Sequence, residues 1–236
     1  RKNVLITGCT DGTAGAAMAR RFHERGCRVF ATARKLKNME ALAAMDIETL
    51  ELDVTDEKQI RSAVEIVHDD DASGGRLDIL VNNAGYWNLM PLADQDLGEA
   101  RRMFEINYFG LLAVTQAFLP LLLPPLSSTT DTKGGLVANV GSISAIVPPP
   151  YQGVYASSKA AVAALSDVLR LELAPLGVAV VHIRTGSVAT RFLEVESWKL
   201  PGGSAYGSLA GMIERREHMG DVSSKAMTPD EYARRV

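Results

Sequence analysis

The sequence predicts a three-layer α/β/α domain built on a doubly wound parallel sheet, and three observations predict it. Short β-branched runs alternate with longer segments of helical spacing along most of the chain, the rhythm of successive βαβ units. The short runs are apolar almost throughout, so both faces of each strand are expected to be covered. Glycines punctuate the first strand-to-helix junction, 7-TGCTDGTAG-15, at the carboxyl end of a strand, where open sheets of this kind bind their ligands. At 236 residues the chain lies near the upper limit of one core and reads as a single domain.

The strands are read at 3-NVLIT-7, 28-RVFAT-32, 47-IETLEL-52, 78-DILVN-82, 136-LVANV-140 and 178-VAVVHI-183. Helical spacing fills the intervals 13–25, 36–44, 56–68, 92–122 and 152–174. The stretch 123-LPPLSSTTDTKGG-135 breaks the rhythm with Pro, Ser, Thr and Gly and reads as a surface loop. The stretch 191–226 contains 201-PGGSAYGS-208 and no strand; so long an irregular segment is expected to be a lid over a ligand. In 228-TPDEYARRV-236, Thr228 caps a helix with Pro229 at its first position. That helix is short, and the native chain is expected to continue into a further strand.

Composition narrows the functional classes. The chain is 47% hydrophobic and 22% charged with formal net charge −3, which argues against binding nucleic acid through phosphate attraction. Cys9 and Cys27 support neither a disulfide framework nor a metal site, so an intracellular, reducing location is expected. His23, His68, His182 and His218 show no ligand spacing, and no metal is expected. The apolar run 108-YFGLLAVTQAFLPLLLPPL-126 approaches the length of a membrane span but carries Gly110, Thr115, Gln116 and three prolines. A core or subunit-interface helix is expected there instead; peripheral association with lipid stays open.

The glycine turn indicates a dinucleotide. Glycines after the first strand permit a tight turn and let backbone N–H groups approach a pyrophosphate at a helix N-terminus. The expected cradle is Gly8, Thr10, Asp11, Gly12, Thr13, Ala14 and Gly15. Its length leaves two readings: one residue more than TGxxxGxG, or Ala14 in place of the third glycine. The second strand ends 31-ATARK-35. Ala33 stands where a carboxylate would bind a ribose 2′-hydroxyl, while Arg34 suits a 2′-phosphate. NADP(H) is therefore expected over NAD, although Asp11 would repel a phosphate if it faced one.

With these residues in place the sequence resembles the short-chain dehydrogenase/reductase family, a Rossmann-type fold, on its NADPH-dependent ketoreductase side. The resemblance runs from residue 3 to about 190. It rests on the glycine turn, Asp53 in 50-LELDV-54, 82-NNAG-85, Asn107, Ser142 in 140-VGSIS-144, and the pair Tyr155 and Lys159. It implies that Asp53 and Val54 contact adenine, and that Asn83, Ala84 and Gly85 line the adenosine ribose. Val188 and Thr190 would fix the carboxamide, Asn107 would hold a water in a proton relay, and Ser142 would polarise the substrate oxygen. It also implies a homodimer or homotetramer through the helices at 106–122 and 152–174. One departure concerns 185-TG-186, where the family has Pro-Gly; a looser start to the lid is expected.

Tyr155 and Lys159 lie four residues apart in 154-VYASSKAAVAAL-165, on one helix face. A phenol titrates near pH ~10, and an ammonium ~4 Å away at an effective dielectric of ~20 would favour phenolate by ~4 kcal/mol. The lysine is thus expected to lower the phenol toward neutrality, making Tyr155 a general acid. Tyr86, Trp87, Leu89, 145-AIVPPP-150, Phe192, Leu193 and Trp198 offer an apolar pocket for a lipophilic ketone or secondary alcohol, and Tyr151 is expected to line it. Two rival functions stand beside this one. The first is a cofactor-binding protein without redox turnover. The second is a nucleotide-sugar epimerase or dehydratase, disfavoured because the chain has no room for a second substrate domain.

Overall fold

The computed structural model describes residues 1–70, 74–124, 133–190, 199–217 and 226–236. The six strands are β1 (Asn3–Ile6), β2 (Arg28–Ala33), β3 (Glu48–Glu51), β4 (Ile79–Asn82), β5 (Leu136–Val140) and β6 (Ala179–Ile183). They form one sheet in the order β3-β2-β1-β4-β5-β6, with every neighbouring pair parallel. The order reverses between β1 and β4, so the chain leaving these two strands diverges and opens a crevice at their carboxyl ends.

Alternation along β1 builds the two halves of the core. Val4 and Ile6 face α1 (Ala14–Glu24) and α8 (Pro229–Arg235), while Leu5 faces the opposite layer with Phe30, Val114, Phe118 and Leu169. That layer contains α3 (Glu57–His68), α5 (Leu111–Leu122) and α6 (Gly153–Leu173). Both faces are thus covered, as the apolar strands require. Local chemistry sets the helix starts. Thr13 accepts the Ala16 N–H, Asp56 accepts the N–H groups of Lys58 and Gln59, and Thr228 with Glu231 closes a capping box on α8.

Two predicted helices are less regular than their spacing implied. The interval 36–44 is a 3₁₀ turn, Leu36–Met39, followed by the single turn α2 (Glu40–Ala43). The interval 92–122 divides into a 3₁₀ turn, α4 (Leu97–Phe104), a π-helical turn over Glu105–Gly110, and α5. A Cβ at Gly110 would lie 2.7 Å from Val54 Cγ2 and 2.9 Å from the Val54 carbonyl oxygen, so only glycine permits the helix to pass this close. Among the described residues, Leu97–Leu122 alone is long and apolar enough to cross a membrane. Within it, Val114, Phe118 and Leu122 are fully buried in the core.

The expected lid is partly helical: a turn at Gly207–Leu209 leads into α7 (Ala210–Glu217), whose Ile213 is fully buried. Phe192, Leu193 and Trp198, expected to line the pocket, lie outside the described residues.

Candidate active site

The glycine turn follows β1 into the crevice and starts α1. Gly8 and Gly12 adopt φ of 75° and 81°, which a side chain would strain. A Cβ on Gly15 would stand 2.4 Å from the Gly8 carbonyl oxygen and 2.6 Å from Asn83 Nδ2. Ala14, by contrast, packs its methyl against the core. Gly15 is therefore the glycine that brings helix onto strand, and the turn holds one residue more than TGxxxGxG. Asn83 braces it: its Nδ2 donates to the carbonyls of Thr7 and Gly8 at 2.8 and 3.1 Å. The N–H groups of Asn83 and Ala84 both donate to Thr7 Oγ1 at 3.0 Å. The Asn83 amide is thus occupied by the fold, leaving the backbone of Asn83–Gly85 to line the crevice.

Beside the turn, Asp11 Oδ2 accepts the Ala41 N–H at 3.1 Å, so this oxygen caps the first turn of α2. Its Oδ1 is buried with no hydrogen-bond partner, an acceptor suited to a sugar hydroxyl. Arg34 and Lys35, at the end of β2, are exposed. Arg34 makes no ion pair among the described residues. Asp53 turns Oδ1 to the N–H and hydroxyl of Thr55, while Val54 is buried against Gly110. These features fit a nicotinamide dinucleotide: a helix N-terminus open to pyrophosphate, an unsatisfied acceptor, and free cations where the adenosine end would lie.

The other side of the crevice carries Ser142, Tyr155 and Lys159. Ser142 ends β5 and opens a 3₁₀ turn; its Oγ accepts the Ser144 hydroxyl at 2.7 Å and the Ser144 N–H at 3.2 Å. The Ser142 hydroxyl also hydrogen-bonds the Tyr155 phenol. Tyr155 and Lys159 project from the start of α6, with Lys159 Nζ 5.9 Å from the Tyr155 ring centroid. Tyr155 packs against a cluster of Trp87, Leu89 and Ile213, which Tyr151, Leu200 and Tyr206 also join, with Trp87 edge-on to Tyr155 at 6.5 Å.

The family model for short chain dehydrogenases matches residues 2–199. The chain belongs to the short-chain dehydrogenase/reductase family. It is 42% identical to a short-chain dehydrogenase of Penicillium ochrochloron over 237 residues, covering 100% of this chain and 83% of that one. It is 38% identical to the NADPH-dependent 1-acyldihydroxyacetone phosphate reductase of Schizosaccharomyces pombe over 190 residues, covering 80% of this chain and 61% of that one. The crystal structure of a short-chain dehydrogenase from Streptomyces avermitilis superposes with TM-score 0.80 at 28% identity, covering 98% of this chain and 80% of that one. Oxidoreductases of this family use nicotinamide cofactors.

Three features of this short-chain dehydrogenase differ from what its sequence implied. First, Lys159 does not lower the phenol. Its Nζ donates to the Val140 carbonyl at 2.9 Å, and burial dominates both groups. Tyr155 is pushed up to about 12 by burial first, with the Ser142 hydrogen bond opposing and the Tyr232 phenolate adding to the rise. Lys159 is pushed down to about 8 by burial alone. Removing charge from water outweighs attraction across the interval between them.

Second, Asn107 is fully buried, with its side chain engaged by protein. Its Oδ1 accepts the Tyr86 N–H at 2.7 Å, and its Nδ2 donates to the Tyr86 carbonyl at 2.8 Å and Ser158 Oγ at 2.9 Å. Both amide hydrogens are used to fix the 82–86 segment to α6, so a relay water would have to be held by the Asn107 oxygens.

Third, the start of the lid is fastened rather than loose. Thr185 Oγ1 and the buried Tyr232 hydroxyl are hydrogen-bonded at 2.9 Å, and the Thr185 carbonyl accepts the Ile143 N–H at 2.9 Å. Val188 pairs with Met227. Met227 N–H donates to Ser187 O at 3.1 Å, and Ala189 N–H donates to Met227 O at 2.9 Å. The threonine hydroxyl thus gains an anchor that proline has no group to make, holding the segment that carries Val188 and Thr190.

Other placements are plainer. Tyr86 turns away from the phenol, with its hydroxyl on Glu99 at 2.8 Å and its ring under Arg102. Cys9 packs in the core with its Sγ on the Ile6 carbonyl at 3.3 Å. Ser144, Leu200, Tyr206 and Ile213 were not singled out by sequence. Ser144 had a signal, since the S-x-S spacing lets one hydroxyl orient the other; the remaining three reach the site only through tertiary packing.

Proposed function

We propose that the chain is an NADP(H)-dependent ketoreductase acting on a lipophilic ketone or the matching secondary alcohol, with Tyr155 as general acid/base. The observation that carries this reading is a partly buried Tyr155 phenol, hydrogen-bonded to Ser142 and packed against an apolar aromatic cluster. Residues 8–15 would hold the pyrophosphate, Arg34 the 2′-phosphate, Asp53 and Val54 the adenine, and Val188 and Thr190 the carboxamide. When bound, the dinucleotide supplies the hydride. The chain's own residues handle the oxygen: Ser142, its Oγ held by Ser144, would turn its one hydrogen from the Tyr155 oxygen to the substrate oxygen, and Tyr155 would deliver the proton.

The raised phenol favours reduction. At neutral pH Tyr155 is protonated, and an alkoxide, with a conjugate acid about as weak as water at ~15.7, takes a proton downhill from a phenol at about 12. The reverse reaction needs phenolate, which burial disfavours. The deciding experiment follows NADPH consumption with a panel of lipophilic ketones. Consumption by several is expected; consumption by none would leave cofactor binding without redox turnover.

Two further expectations belong to this reading. Arg34→Ala should weaken NADPH binding, followed by fluorescence titration, by ~10- to 100-fold, the worth of a charge-assisted bidentate contact. NADH binding should change by no more than ~3-fold, since a 2′-hydroxyl offers no such partner; equal losses would remove the 2′-phosphate role. The chain is also proposed to form a homodimer or homotetramer through the helices at 106–122 and 152–174, where Phe109, Val168 and Leu171 are 51%, 50% and 68% exposed. Sedimentation at monomer mass would overturn that assignment.

A further inference from the structure

Tyr151 enters α6 with φ +68°, in the left-handed region. Among the described residues only Asp46, in a turn after α2, shares that region without being glycine. Aspartate tolerates it; an aromatic side chain there is a real outlier, retained only where its surroundings enforce it. Two contacts do so. The Tyr151 carbonyl accepts the Met90 N–H at 2.8 Å, and its ring stands edge-on to Tyr206 at 6.2 Å and 85°. The strained backbone turns the ring into the cluster around Tyr155. Its hydroxyl makes no hydrogen bond among the described residues, so the fold gains no polar anchor from this tyrosine. A glycine or asparagine would make the same turn without strain.

We infer that Tyr151 is a substrate-binding residue, kept in an unfavourable conformation because its ring, backed by Tyr206, forms a wall for a flat ring-bearing ketone presented to Tyr155. Aromatic rings reward planar partners through stacked and edge-to-face contacts beyond simple burial, whereas a flexible chain collects only the burial. Trp87, edge-on to Tyr155, supplies a further ring to the same cluster. The side chains gathered here are aromatic or aliphatic, so the wall they offer suits an apolar ligand body. The inference rests on the ketoreductase reading and selects the ring ketones within it.

The test compares 1-tetralone and 9-fluorenone with 2-decanone, alongside melting temperature and NADPH titration. Tyr151→Asn relieves the strain and should raise the melting temperature by about 2 °C or more. It should raise KM for the ring ketones by about tenfold, the loss expected of one aromatic wall, with NADPH binding unchanged. KM for 2-decanone should move by less than about threefold, since burial alone is lost there. Tyr151→Phe, keeping ring and backbone, should recover most of the lost ring-ketone affinity.

Unchanged ring-ketone KM in Tyr151→Asn, or equal losses for ring and chain substrates, would overturn the inference while leaving the reductase reading intact. So would a lowered melting temperature with parallel loss of NADPH binding, which marks a purely structural residue. Wild-type protein that reduces none of the three ketones would overturn both.

Discussion

Tyr155→Phe should lower carbonyl-dependent NADPH oxidation by ~10²- to 10⁴-fold, the range of a positioned general acid, while NADPH still binds. The two outcomes separate because the substitution removes one oxygen and leaves the ring packed among Trp87, Leu89 and Ile213. Ser142 would lose its bond to the phenol but keep Ser144, so the remaining hydroxyl pair stays ordered. With no proton available, the developing alkoxide would rely on Ser142 alone. Turnover near the wild-type rate would remove Tyr155 as the acid, and loss of NADPH binding would show that the phenol holds the site together.

Lys159→Met should abolish turnover and yet stabilise the fold at neutral pH. Lys159 is 4% exposed and titrates at about 8 instead of 10.5. The difference corresponds to ~3 kcal/mol by which the folded state disfavours the charged amine. Methionine removes that burden but leaves the Val140 carbonyl unpaired, a loss of ~1–2 kcal/mol. The variant should therefore gain ~1–2 kcal/mol at pH 7, or roughly 2–6 °C in Tm.

The sign with pH follows from proton counts. Below pH 8 lysine is charged in both states and its burial opposes folding in full. Between 8 and 10.5 the unfolded chain binds more protons, so wild-type stability rises with pH there. Above about 10, ionisation of Tyr155 in the unfolded chain reverses the trend, because its folded value is about 12. Denaturant curves at pH 7 and 9.5 should thus show the variant's advantage shrinking. A constant gap, or a variant less stable at both, would mean that the amine is not held under desolvation. Its activity loss tests the electrostatic role separately: with no cation beside Tyr155, phenolate left after proton transfer has no partner.

The sheet was legible because its inner strands are apolar on both faces and helices such as α1 and α3 are amphipathic, so burial and local pattern agree. The site was legible where chemistry depends on spacing along one element, as with Tyr155 and Lys159 on α6 or Gly8 and Gly15 flanking one turn. What could not be read was direction. Nothing local tells whether the Lys159 ammonium meets the phenol or the Val140 carbonyl, or whether Asn107 faces a water or Tyr86. Desolvation, which reversed the expected shifts, depends on everything packed around a group and has no signature in spacing. The Thr185–Tyr232 contact joins residues 47 apart in sequence, and neither is unusual in its own neighbourhood. Tyr206 and Ile213 were hidden for the same reason.

The wide turn at Glu105–Gly110 carries an implication for how such chains change length. An α-helix rotates by about 100° for every residue added or removed, so an indel in its middle normally scrambles one flank. Here a surplus residue has already been absorbed, and the phase difference between α4 and α5 is built around it, with Asn107 at the seam. Deleting Glu105 or Ile106 would let the coil relax to a tighter winding and swing Asn107 off Tyr86 and Ser158. Loops elsewhere can lengthen freely; this stretch is counted to the residue, and sister proteins that keep the chemistry should keep the count.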